Sequence, residues 1–167
     1  MKKTDIKRIA FCGMFTAVAI IMGYIESFIV IPGLLPGMKL GLANCVILFV
    51  LMTYGIPSAV LVSLVRIIVV NSLFGNMTAA VFSFAGAALS LIVMSLLKRS
   101  RHFSTVGISL AGGTAHNLGQ VLVAMLIFDN AGMFYYFPIL IVTGVAAGVF
   151  VGILAGLVIK RMAHAQA

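Results

Sequence analysis

The chain has 167 residues, of which 63% are hydrophobic and only 8% charged, with a mean hydropathy of +1.25. A soluble domain covers itself with roughly 25% charged residues, so the composition excludes an ordinary soluble fold and points to an integral membrane protein. The net charge of +8 falls in short basic clusters between apolar runs, which is a topology signal and argues against a nucleic-acid-binding protein.

Six apolar runs are expected to form six transmembrane helices of an all-α, polytopic protein folded as a single domain over residues 1–167. A basic start, MKKTDIKR, precedes a first run from about Ile9 to Ile25. Ala17-Val18-Ala19 fits a small-x-small cleavage pattern, but bulky apolar residues continue through it to Met22, which favours an uncleaved helix over a signal peptide. The second run, Lys39 to about Thr53, is short for a span of about 20 residues. It carries Gly41 and Asn44, so its outer end is expected inside the bundle. Tyr54-Gly55-Ile56-Pro57 reads as a tight turn into the third run, Pro57 to about Phe74. The fourth run extends from about Thr78 to Leu97, ahead of the charged cluster Lys98–His102. The fifth runs from about Ser104 to Phe128. Tyr135, Tyr136 and Pro138 open the sixth, which ends at Ile159. Cys12 and Cys45 read as small packing residues at different depths, not as a disulfide.

With six spans, the amino terminus, the 98–102 loop and the carboxyl terminus share one side, and nine of the eleven Lys and Arg residues lie there. The positive-inside rule makes that side cytoplasmic, giving an N-in/C-in protein of a bacterial cell membrane. Lys39 and Arg66 depart from this pattern and need another explanation.

Glycine and alanine recur every fourth residue at Gly144, Gly148, Gly152 and Gly156, and at Gly107, Ala111, Ala115 and Gly119. Such ladders let helices approach closely in lipid, and both read as internal packing. A third stripe, Ala10, Gly13 and Ala17, lies on the first helix, where it could equally dock another subunit.

Polar residues in a bilayer cost at least about 2.5–3.5 kcal/mol when ionised, so they normally face an interior or a site. Arg66 lies about 14 Å along the third helix and His116 about 20 Å along the fifth, with Gln120 one turn above it and Asn117 adjacent. Asn44 is expected about 7 Å below the outer end of the second helix. Glu26 and Lys39 flank the outer turn, which contains Pro32-Gly33-Leu34-Leu35-Pro36-Gly37. Each could merely bridge helices or anchor an interface. Their convergence at one depth instead suggests a binding site for a small anionic or carbonyl-rich molecule, for which an isoprenoid diphosphate, a quinone precursor or a flavin would all fit, with the Glu26–Asn44 stretch as its lid and rim. Asn71 falls about 140° round the helix from Arg66 and reads as packing.

The stretch ending in PGMKLGLAN, together with Arg66, Gly86, Gly107-Ile108-Ser109 and HNLGQ (His116–Gln120), resembles the Gx transporter family. That family also bears the description heptaprenyl diphosphate synthase component I, and it looks like the substrate-capture (S) components of energy-coupling-factor transporters. The resemblance implies six helices, capture of a micronutrient from outside, and docking through small residues of the first helix. The docking partner would be a transmembrane coupling subunit that carries two ATPase subunits. Ala10, Gly13 and Ala17 are similar to that docking pattern. Prenyl-chain elongation needs clustered aspartates for Mg²⁺, yet Asp5, Glu26 and Asp129 are isolated in sequence. Without a P-loop, the chain is expected to be no enzyme by itself, with no cofactor and no metal. The other readings are a noncatalytic membrane partner of isoprenoid or quinone enzymes and an assembly subunit of a membrane redox complex.

Overall fold

The apolar runs fold as helices because lipid offers the backbone no partners, so each segment must satisfy its own N–H and C=O groups. A computed structural model describes residues 3–29, 38–39, 41–100 and 102–165. Among these lie α1 (Lys3–Ser27), α2 (Asn44–Tyr54), α3 (Ile56–Phe74), α4 (Met77–Ser100), α5 (Thr105–Phe128) and α6 (Phe137–Ala165), with a short 3-10 turn at Ala131–Tyr136 before α6. The turn Pro32–Gly37 and Arg101 lie outside the described residues. Helix ends carry the expected punctuation. Ser104 accepts the Gly107 N–H at 3.1 Å, Asn76 accepts the Ala79 N–H at 2.8 Å, and Asp129 closes α5 in the left-handed region.

Among the described residues, five helices are long and apolar enough to cross a membrane, and bulky side chains such as Leu73, Leu126 and Val142 stand exposed on their flanks. The chain is therefore a multi-pass membrane protein. The second run departs from expectation. Helix starts only at Asn44, so Asn44 opens α2 instead of lying a turn and a half inside it, and the 11 residues of α2 fall short of a span.

The short helix is also the centre of the fold. Val46 to Leu51 are buried on every side, as expected of a helix that is apolar all round, and α2 packs against all five others. The long helices form an arc in the order α1, α3, α4, α5, α6 around it. The arc stays open between α1 and α6, which flank α2 without packing on one another. At its far end α2 is held by cations. Lys98 donates to the Leu51 carbonyl at 2.5 Å, and Arg8 to the Tyr54 carbonyl at 3.1 Å and the Ser58 hydroxyl at 2.8 Å, capping carbonyls that the helix leaves unpaired.

The α6 ladder packs on α5, though not onto the ladder read there. A Cβ on Gly113 would lie 2.6 Å from the Gly144 carbonyl oxygen, and one on Gly148 would lie 2.7 Å from the Leu110 Cα. Gly119 instead abuts α4 at Ala85, and Gly156 meets nothing within 4 Å. The residues of α5 facing α6 are thus Val106, Ser109, Leu110, Gly113 and Asn117, while Gly119 of the α5 ladder packs internally against α4. Both cysteines are free thiols.

Candidate functional site

Three residues of α1, α3 and α5 pin the strand of chain that leads into α2. Gln120 of α5, fully buried, grips the Lys39 main chain on both sides. Its Oε1 accepts the Lys39 N–H at 2.8 Å and its Nε2 donates to the Lys39 carbonyl at 2.9 Å. Glu26, near the end of α1, accepts the main-chain N–H groups of Gly41 and of Leu42, the latter at 3.1 Å. Asn71 of α3 accepts the Lys39 ammonium at 3.0 Å, and its amide donates back to the Ile67 carbonyl at 2.8 Å. Gly41 has φ +85°, a backbone conformation that L side chains rarely adopt, and this turns the chain into α2 beneath the Glu26 carboxylate. Asn117 ties the same corner to α6, donating to the Leu140 carbonyl at 2.7 Å and accepting from Gln120 at 3.4 Å.

Beneath this segment lies a second set of polar groups that finds no partner among the described residues. Arg66 is 4% exposed with its Nε unbonded, His116 is 2% exposed with both ring nitrogens unbonded, and Asn44 is 6% exposed with its Nδ2 unbonded. Buried polar groups are ordinarily paired, because an orphan costs about 1–3 kcal/mol. Arg66 interacts electrostatically with Glu26, Lys39 and His116. His116 is seated between two glycines: a Cβ on Gly86 would lie 2.7 Å from its Cε1, and one on Gly41 would lie 3.2 Å from its Cδ2. The Oε2 of Glu26 and the hydroxyls of Ser63, Ser83, Ser90 and Ser109 are likewise buried and unpaired. The result is a donor-rich interior with a cationic balance, suited to anionic or carbonyl oxygens.

All seven residues singled out in the sequence are therefore gathered around the 38–44 segment, but they do different things. Glu26, Lys39, Asn117 and Gln120 hydrogen-bond through their side chains to the protein, whereas Asn44 Nδ2, Arg66 Nε and the His116 ring nitrogens make no hydrogen bond among the described residues, and Arg66 meets Glu26 through charge alone. Asn71, read as packing from its angular offset, belongs to the first group, because the long Lys39 side chain reaches it across that offset. A signal existed in the sequence, since an amide in the middle of an apolar helix needs a partner. Ala10, Gly13 and Ala17 lie exposed on α1, and a Cβ at Gly13 would meet nothing within 4 Å.

Comparison with curated proteins and with solved structures gives no match. The family model described as heptaprenyl diphosphate synthase component I matches residues 15–158, nearly the whole of the structure just described, and the chain belongs to that family.

Proposed function

We propose that this protein is a substrate-capture subunit of an energy-coupling-factor-type uptake transporter, in the manner of an S component. The observation that carries the reading is the group Arg66, His116 and Asn44, buried and with side-chain nitrogens that make no hydrogen bond among the described residues, beside a segment of chain that side chains of α1, α3 and α5 hold in place. In this reading the protein is one domain with six crossings of a bacterial cell membrane, N-in and C-in. α2 and the segment entering it from Lys39 make the second crossing, its polar outer end enclosed by the other helices. The ligand enters from outside, and its anionic or carbonyl oxygens meet Arg66, His116 and Asn44. Glu26, Lys39, Asn117 and Gln120 shape the wall and fix the rim. Ala10, Gly13 and Ala17 dock a transmembrane coupling subunit whose two ATPases supply the energy.

A mass spectrum of small molecules released from the purified protein identifies the ligand class. Arg66→Ala and Asn44→Ala should each weaken ligand binding without ATP while leaving the helical content intact, and unchanged affinity in both sinks the assigned site. Family membership favours a second reading, in which the protein is a noncatalytic membrane partner of an isoprenoid diphosphate synthase. Recovery of a soluble prenyltransferase on co-purification supports that reading, whereas a coupling subunit with ATPases supports transport.

A further inference from the structure

Helices α1 and α3 touch at one end and part at the other. A Cβ on Gly23 would lie 3.0 Å from Val70 Cγ2, and the Tyr24 and Phe74 rings sit 4.5 Å apart. Earlier on α1, a Cβ on Gly13 would meet nothing within 4 Å. Between the parted halves runs a trough of about 620 Å³, walled by Ile9, Cys12, Gly13 and Thr16 of α1 and by Leu61 and Val65 of α3. Arg8 stands at its head and reaches across the gap. Its Nε lies 3.1 Å and one Nη 2.8 Å from the Ser58 hydroxyl, and the same Nη donates to the Tyr54 carbonyl at 3.1 Å. These bonds fix the guanidinium, and with five N–H groups it still has donors for an anion arriving there. Lys7 is exposed beside it, and Lys98 reaches the same end of α2. With Arg99, these cations outnumber Asp5, the one acidic residue in the sequence at this end.

We propose that the α1/α3 trough binds an anionic phospholipid, with one acyl chain lying along Gly13 and Leu61 and the phosphate against Arg8. The interior of the trough suits hydrocarbon, because its hydroxyls are spent: Ser58 on Arg8, and Thr16 on the Cys12 carbonyl at 2.7 Å. Its length suits one leaflet. Arg8 to Thr16, and Pro57 to Val65, each cover about 12 Å of helix, against about 15 Å for half of the hydrocarbon core. A partner's transmembrane helix would need a groove through the whole thickness, and the Gly23–Val70 contact closes this one part-way. Charge complementarity sets the head. The α1/α2/α6 cleft of about 390 Å³ and the α3/α4 cleft of about 260 Å³ have no charged residue in their linings, whereas this trough has Arg8. In the N-in orientation the lipid belongs to the cytoplasmic leaflet, where basic residues near the surface attract anionic headgroups. The site is separate from Arg66, His116 and Asn44 and shares only Gly13 with the small-residue stripe of α1. Ala10 and Ala17 lie about 40–60° to one side of Gly13, and Ile9, Cys12 and Thr16 about 40–100° to the other.

The test places the full chain in bilayers of equal parts phosphatidylglycerol and phosphatidylcholine, with bromine on the acyl chains of one lipid at a time. The chain contains no tryptophan, so Leu61→Trp, on the trough wall, reports through bromine quenching which lipid lies there. Leu157→Trp, exposed on α6 a turn before Lys160, reports the lipid that merely surrounds the protein. At position 61 phosphatidylglycerol should be favoured about fivefold, the advantage that one basic side chain gives an anionic lipid at a membrane surface. At position 157 the preference should be smaller. Arg8→Gln should remove the preference at 61. Gly13→Leu, which fills the trough without a collision, should lower it to the value at 157 while Arg8 remains. Because Arg8 also caps α2, a variant that fails to fold is replaced by raising salt to about 1 M, where a Debye length of about 3 Å should shrink the preference. Equal quenching by the two lipids at 61, or a preference no larger there than at 157, overturns the site. So does a preference that survives Arg8→Gln, high salt or Gly13→Leu. Weak quenching at 61 by both lipids means that protein fills the trough, and it overturns the proposal as well.

Discussion

Replacing Gln120 by methionine removes its two hydrogen bonds to the Lys39 main chain and the longer one, 3.4 Å, to Asn117. Methionine has similar length and helix propensity, and the site is fully buried. The Lys39 N–H and carbonyl, bonded at 2.8 and 2.9 Å, would then be left without partners. An unsatisfied buried polar group costs about 1–3 kcal/mol. Lys39 is only partly buried, so water recovers some of this, and about 2–4 kcal/mol remains for the pair. At 1.4 kcal/mol per factor of ten, opening of the 38–43 segment should become roughly 30- to 1,000-fold more frequent. Hydrogen–deuterium exchange by mass spectrometry reads this directly, from a peptide covering Lys39, Gly41 and Leu42. Exchange there should rise by that factor, while amides in the middle of α5 keep their protection. Unchanged exchange at 39–42 in a folded variant would refute the idea that Gln120 pins the segment.

Arg66→Met should lower the Tm by several degrees, because it leaves the buried Glu26 carboxylate without its guanidinium partner, a loss of about 3–5 kcal/mol. An unchanged Tm would mean that Glu26 does not depend on Arg66. Gly113→Leu should destabilise by about 1–3 kcal/mol or more through the collision with Gly144, whereas Gly156→Ala should be neutral, since it meets nothing. Equal Tm values for the two would contradict the α5/α6 contact.

Much of this molecule is written in local sequence. The apolar runs, the turn at Gly55 and Pro57, and the caps at Ser104 and Asp129 follow from hydropathy and backbone chemistry within a few residues, and so the long helices were legible. Composition likewise required that Glu26, Lys39, Arg66, His116, Asn117 and Gln120 avoid lipid, which gathers them at one place. What each of them does there depends on partners from distant segments, and only the tertiary structure decides it. Gln120 is spent on the Lys39 main chain, 81 residues away, and Glu26 on Gly41 and Leu42. Arg66 and His116, no less polar, are left unbonded. Residue type gives no hint of this division, because a hydrogen bond depends on placement to within tenths of an ångström. The same holds for α2. Hydropathy shows a short apolar run, but only the packing shows that it is enclosed by five helices and that the arc around it opens between α1 and α6.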